Sequence, residues 1–204
     1  MRAEKDRQEC IESLMLLAVP FMIGLALYLH GLMDEVIGHY AVYTVYIVGS
    51  MALTKRNGRA QSEIGLTFKG FKSSFVDSVA FVVGVFAARL FRGSLVLSGD
   101  VFSSASFVYN LFYWGLSGIG QEVVFRGLIL FSFYRWKGER AALIVSSALF
   151  MILHVLEYPN PLSLLMFGAE GLYWGWVALR TRNIVGVAVS HTLFNFTFSY
   201  VFAT

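Results

Sequence analysis

Residues 105–134 are apolar for about thirty positions, and charge enters the run only at Glu122 and Arg126, with Gln121 beside them. A bilayer takes about 20 residues per helix. The run is therefore either one long tilted helix or two pieces broken near Gly115, Gly118 and Gly120. Insertion scales put a charged side chain at mid-bilayer at roughly 2.5–3.5 kcal/mol. A chain keeps Glu122 and Arg126 in such a place when polar groups face them. Two later apolar segments carry such groups, Phe150-x-x-x-His154 and His191-x-x-x-Asn195. The three short patterns are expected to meet in one polar pocket within the membrane.

The rest of the composition agrees with a membrane chain. The hydrophobic fraction is 57%, the charged fraction 14%, and the mean hydropathy +0.65. Soluble domains average about 45–50% apolar and about 25% charged. The 204 residues fit one integral membrane domain with about seven to eight transmembrane helices, an all-α polytopic bundle. Residues 105–202 carry the polar patterns and form the expected catalytic core. The net charge of +3 follows from basic residues in short loops, not from a nucleic-acid surface. Cys10 is the only cysteine, which excludes an intramolecular disulfide and a cysteine-based metal cluster. The charged N-terminal residues 1–12 lack a small-residue cleavage site after the first apolar run, so that run reads as a retained span.

Taken in order, spans are expected at residues 14–33, 36–53, 75–91, 105–134, 141–156, 162–179 and 184–202. Residues 62–74 read as a short interfacial helix with snorkelling Lys69 and Lys72. Glu157 to Pro161 reads as a turn because of its prolines. With seven alternating spans, 13 of the 16 basic residues fall on one side. Only Arg89 and Arg92 fall on the other, and Arg126 lies within. That asymmetry places the N-terminus in the cytoplasm, in a prokaryotic inner or plasma membrane. At 1.5 Å rise per residue, Glu122 lies roughly 18 Å, His154 roughly 20 Å, and His191 and Asn195 roughly 10–17 Å from the basic side. All four fall in nearly one layer.

Glu122 and Arg126 are four apart and share a helix face, with Glu on the favourable N-terminal side. Gln121 points about 100° away. His191 and Asn195 are one turn apart. Glu170 sits mid-span between Gly168 and Gly171, lining the pocket or bonding a neighbouring helix. His30 and His39 have no such context, and Asp77 lies near a span end. A carboxylate tuned by burial and by Arg can take a proton from water as a general base. An imidazole can hold that water. A second imidazole and an Asn amide can donate to a developing oxyanion, at roughly 3–4 kcal/mol per donor. The set suits amide hydrolysis by water. Two histidines and a Glu also suit zinc, but H-E-x-x-H spacing is absent and metal is the weaker option, so no cofactor is expected. The expected partners are membrane lipid and a membrane-associated protein or peptide, with no nucleic acid.

These patterns resemble the CPBP family, the type II CAAX prenyl endopeptidases and related Abi intramembrane proteases. Its motifs E-E-x-x-x-R, F-x-x-x-H and H-x-x-x-N align with Gln121-Glu122-Val-Val-Phe-Arg126, Phe150-Met-Ile-Leu-His154 and His191-Thr-Leu-Phe-Asn195. The resemblance spans residues 115–196 and includes the turn at Arg180-Thr181-Arg182-Asn183. It implies a helical membrane peptidase of the glutamate type. In that scheme the first Glu and the histidine of F-x-x-x-H activate water, the last His and Asn stabilise the oxyanion, and the second Glu and Arg support the site. Phe150 and Glu170 are expected against the substrate.

The chain departs from the pattern where Gln121 stands in place of the first Glu, because a carboxamide is no general base. Three readings stay open: an engineered Glu→Gln change, a natural pseudoprotease that binds or regulates a membrane partner, or Glu122 serving as base in a shifted geometry. A small transporter using the polar layer as a proton relay is a further class.

Overall fold

The computed structural model describes residues 2–92, 96–97, 104–154, 159–198 and 202–203. The chain forms α1 (Arg2–Leu29), α2 (Glu35–Arg56), a 3-10 turn (Gln61–Ile64), α3 (Phe71–Phe91), α4 (Ser104–Glu122), a π-helical stretch (Val123–Ile129), α5 (Leu130–Lys137), α6 (Glu139–Leu153), α7 (Pro161–Thr181) and α8 (Val185–Phe196). Two-residue strands, β1 (Val96–Leu97) and β2 (Phe202–Ala203), pair antiparallel, Val96 opposite Ala203 and Leu97 opposite Phe202. The fold is otherwise helical.

Among the described residues five helices are long and apolar enough to cross a membrane: Ala3–Leu29, Glu35–Arg56, Phe71–Phe91, Ser106–Lys137 and Pro161–Thr181. Sequence patterning marks seven spans. The other two correspond to α6, 15 residues long, and α8, 12 residues long; at 1.5 Å per residue α8 covers only about 18 Å. The apolar run at 105–134 is one continuous helix, resolving the choice between one piece and two. Its inner part is also the axis of the bundle: 89% of its most apolar 18-residue window is buried, against 11–44% of the same window in the other four. Those outer helices turn Met15, Met22, Ile37, Val48, Val76 and Val83 outward, the side that lipid covers.

Two other expectations are corrected. The first span, expected at 14–33, lies on a longer helix that begins at Arg2 and ends at Leu29. The interfacial helix expected at 62–74 is absent. The 3-10 turn stops at Gly65, and α3 starts only after Gly70. Both glycines hold left-handed φ angles, 77° and 78°, which interrupt a helix and which only glycine adopts at no steric cost. The first residues of the turn expected at Glu157 to Pro161, Glu157 and Tyr158, lie outside the described residues. Asn160 does cap α7, its side chain accepting from the Leu162 N–H at 2.8 Å, with Pro161 in the first turn.

Packing sets the site. α8 lies against α3 and α4, α7 against α6 and α3, and α1 against α2 and α5. Close approach is permitted by small residues: a Cβ on Gly118 would stand 2.6 Å from Thr192 Oγ1 and 3.0 Å from its backbone nitrogen. One on Gly171 would meet the Ser147 Cβ at 2.9 Å. The entry to α8 is fastened by buried Asn183. Its Oδ1 accepts from the Gly186 N–H at 2.9 Å, and its Nδ2 donates to the carbonyls of Thr67 and Lys69. The Ser74 hydroxyl returns a bond to the Asn183 carbonyl at 2.9 Å.

On the basic side, an ionic knot ties α1 to the rest. Arg59 reaches Asp6 at 2.8 Å and Glu9 at 3.0 Å, and Arg135 reaches Glu9 at 2.9 Å. Glu63 takes the Ala60 N–H at 2.9 Å, and that bond together with the Arg59 charge holds its carboxyl below the usual range.

Candidate functional site

The site grows from the transition between α4 and the π stretch. Over Val123–Ile129 every residue is buried. A π turn leaves its carbonyls in unusual places, and such turns are frequent at functional sites. Here the Phe125 carbonyl accepts both the Leu130 N–H and the Ser146 hydroxyl, the latter at 3.0 Å. That bond ties the distorted stretch to α6.

Glu122 lies at the junction and is the hub. Its Oε1 accepts from Arg126 Nη1 at 2.9 Å and from His191 Nδ1 at 2.7 Å. Glu122 and Arg126 are both 0% exposed and His191 2%. A carboxylate can stay there because a cation and a ring N–H both face it. The Arg126 guanidinium also lies 4.1 Å from the Phe150 ring centroid, a cation–π contact in a desolvated place.

His191 is held on three sides. Glu122 takes its Nδ1–H, the Trp174 ring packs against it with centroids 4.7 Å apart, and Glu170 Oε1 stands 3.9 Å from its Nε2. His154, at the end of α6, donates its Nδ1–H to the Phe150 carbonyl at 2.7 Å and stacks on Phe167 at 4.2 Å. That bond fixes the tautomer and leaves Nε2 with its lone pair. The two imidazoles are separated by Phe150, whose ring centroid is 4.5 Å from His154 and 5.9 Å from His191.

The structure thus brings Glu122, Arg126, His191 and Glu170 together, with Phe150 and His154 adjoining them. Gln121 is turned elsewhere. Its Nε2 donates to the Tyr43 hydroxyl on α2 at 3.0 Å. Asn195 is half-buried on α8 and makes no side-chain hydrogen bond among the described residues. Among those residues no three of His, Cys, Asp and Glu are grouped to hold one metal ion.

Several polar atoms in this region are buried with no hydrogen-bond partner: Gln121 Oε1, Glu122 Oε2, Arg126 Nε and Nη2, Ser147 Oγ and Glu170 Oε2. Each such group costs about 1–3 kcal/mol. A concentration of them around one carboxylate marks a place built for something other than stability. The flanking aromatics Phe167 and Trp174 were not singled out from sequence. The signal that finds them is Phe167-x-x-Glu170-x-x-x-Trp174, spaced to share one face of α7.

Fold and site together define a helical integral membrane protein with an acid–base cluster buried among its helices. Residues 102–197 match the model of the Rce1-like family, the type II CAAX prenyl endopeptidase Rce1-like proteins. That stretch is similar to the family, as its three motifs imply, and protease activity is the family's property. No curated protein and no solved structure matches the chain.

Proposed function

We propose that this protein is an intramembrane endopeptidase of the glutamate type, hydrolysing a peptide bond of a membrane-associated substrate with an activated water. The observation that carries the reading is Glu122 Oε1 receiving both Arg126 and His191 inside a fully buried cluster. A ring whose Nδ1–H is held by a carboxylate presents Nε2 to the pocket. When that nitrogen is protonated, Glu122 balances the charge, and His191 can donate to an oxyanion. His154 has a neutral carbonyl behind Nδ1 instead. Its Nε2 lone pair suits accepting a hydrogen bond from water. Asn195, one turn beyond His191, supplies the second oxyanion donor. Glu122 and Arg126 position His191 and do not touch substrate. We place the N-terminus on the cytoplasmic side and count α6 and α8 with the five long helices as the membrane segments.

A non-catalytic reading has one observation in its favour: Gln121, at the family's base position, is bonded to Tyr43. A scaffold that binds a membrane partner would use the same fold without cutting. Purified protein in liposomes, given an internally quenched farnesylated peptide, separates the two. Cleavage by the native chain or by Gln121→Glu, lost in His154→Ala and in His191→Ala by about 10²-fold or more, supports the enzyme. Silence in both the native chain and Gln121→Glu contradicts it.

A further inference from the structure

We propose that Glu170 is the general base of this protein, supplying from α7 the carboxylate that position 121 lacks. The inference rests on the protease reading above and assigns a catalytic role within it.

α7 turns one face to the site. Phe167, Glu170 and Trp174 follow one another at intervals of three and four residues, and all three are buried. Phe167 stacks on His154 and Trp174 packs on His191. Glu170, between them on the same face, therefore sits level with the interval between the two imidazoles. Its Oε1 is 3.9 Å from His191 Nε2, beyond a direct hydrogen bond. Its Oε2 has no partner and is buried. A carboxyl 1% exposed in mid-span, with one oxygen unbonded and the other short of bonding, contributes nothing evident to stability. The neighbouring Gly171 lets α7 approach α6 at Ser147, and nearer His154 a Cβ on Gly168 would meet the Met151 sulfur at 3.4 Å. The residue at 121, by contrast, is held by α2.

The step balances without any further reactant. Water, held through His154 Nε2, loses a proton to the Glu170 carboxylate as its oxygen bonds the scissile carbonyl carbon. The carbonyl π pair moves onto oxygen, where His191 Nε2–H and the Asn195 amide donate to it. As that pair returns, the C–N bond breaks and Glu170 gives its proton to the leaving nitrogen. The products are a carboxylic acid and an amine, and the carboxylate is restored.

The test compares four proteins in liposomes on the quenched farnesylated peptide: native, Glu170→Gln, Gln121→Glu, and Gln121→Glu with Glu170→Gln. The native chain is expected to cleave. Glu170→Gln is expected to lose about 10²–10⁴-fold in kcat with little change in KM, and to lose the acid limb of the pH–rate profile. Gln121→Glu removes the Nε2 donor that ties position 121 to Tyr43, so the double variant is expected to recover cleavage, which a merely structural role for Glu170 would not produce. Should Glu170→Gln not fold, Glu170→Asp keeps the carboxylate one methylene back and is expected to retain the pH profile with kcat at least about tenfold lower. Equal activity and pH profile in native and Glu170→Gln would overturn the assignment and leave the protease reading standing. So would a silent native chain beside an active Gln121→Glu. Silence in all four would overturn the protease reading and this assignment with it.

Discussion

Replacing Arg126 by Met removes the guanidinium that, alone among the described arginines and lysines, touches Glu122, while keeping most of the alkyl stem. Glu122 then retains the His191 N–H alone, and Phe150 loses the guanidinium at 4.1 Å. Breaking a buried ion pair at one partner costs about 3–5 kcal/mol, because the other charge is left uncompensated. Replacing both partners by apolar residues is often neutral. Arg126→Met is therefore expected to destabilise the protein by about 3–5 kcal/mol. Adding Glu122→Leu is expected to restore at least about 2 kcal/mol, after about 1 kcal/mol is lost from the His191 bond. Reversible unfolding by SDS titration in mixed micelles, followed by tryptophan fluorescence, measures both; Trp174 lies in the site. An Arg126→Met protein within about 1 kcal/mol of native would refute the reasoning. So would a double variant no more stable than the single one, since the cost would then not be that of a stranded carboxylate.

Three further outcomes follow from the packing. Gly118→Ala places a methyl 2.6 Å from Thr192 Oγ1 and 3.0 Å from its backbone nitrogen; about 1–3 kcal/mol of stability should be lost, and peptide cleavage should fall because α8 carries His191. Asn183→Ala leaves the Gly186 N–H and two carbonyls unpaired at the entry to α8, and should cost about 2 kcal/mol or more in the same unfolding titration. Arg59→Ala strands Asp6, 5% exposed, and leaves Glu9, 4% exposed, with Arg135 alone; limited proteolysis should then cut the α1 end at a protease concentration that leaves the native chain intact.

The sequence revealed the cluster wherever physical cost made it visible. Charge in a thirty-residue apolar run is conspicuous, so Glu122 and Arg126 stood out, and their four-residue spacing foretold the bond at 2.9 Å. The depth estimate brought His191 to the same layer, where it meets Glu122. Glu170 was legible as lining and not as a second carboxylate beside His191, because that depends on how α7 and α8 pack. The Gln121 bond to Tyr43 joins residues 78 apart, and neither position has a local pattern naming the other. The π stretch was hidden for a related reason. Nothing in Val123–Ile129 forbids an ordinary α-turn, and the distortion is supported from outside, by the Ser146 hydroxyl. The ionic knot of Asp6, Glu9, Arg59 and Arg135 likewise joins residues that looked like unrelated loop charges. Of the seven expected spans five are long helices among the described residues, while α6 and α8 are shorter there than the apolar runs at 141–156 and 184–202.

The meeting of Glu122 on the central helix with His191 on α8, deep among apolar spans, is what every functional step above depends on. Solid-state NMR of the protein in lipid bilayers, with labels on the Glu122 side-chain carboxyl carbon and on His191 Nδ1, measures it directly. The 2.7 Å hydrogen bond corresponds to a carbon–nitrogen separation of about 3.5 Å, and strong dipolar dephasing between the two labels is expected. Absence of dephasing, meaning a separation beyond roughly 6 Å, would show His191 turned away from the carboxylate and would contradict the account.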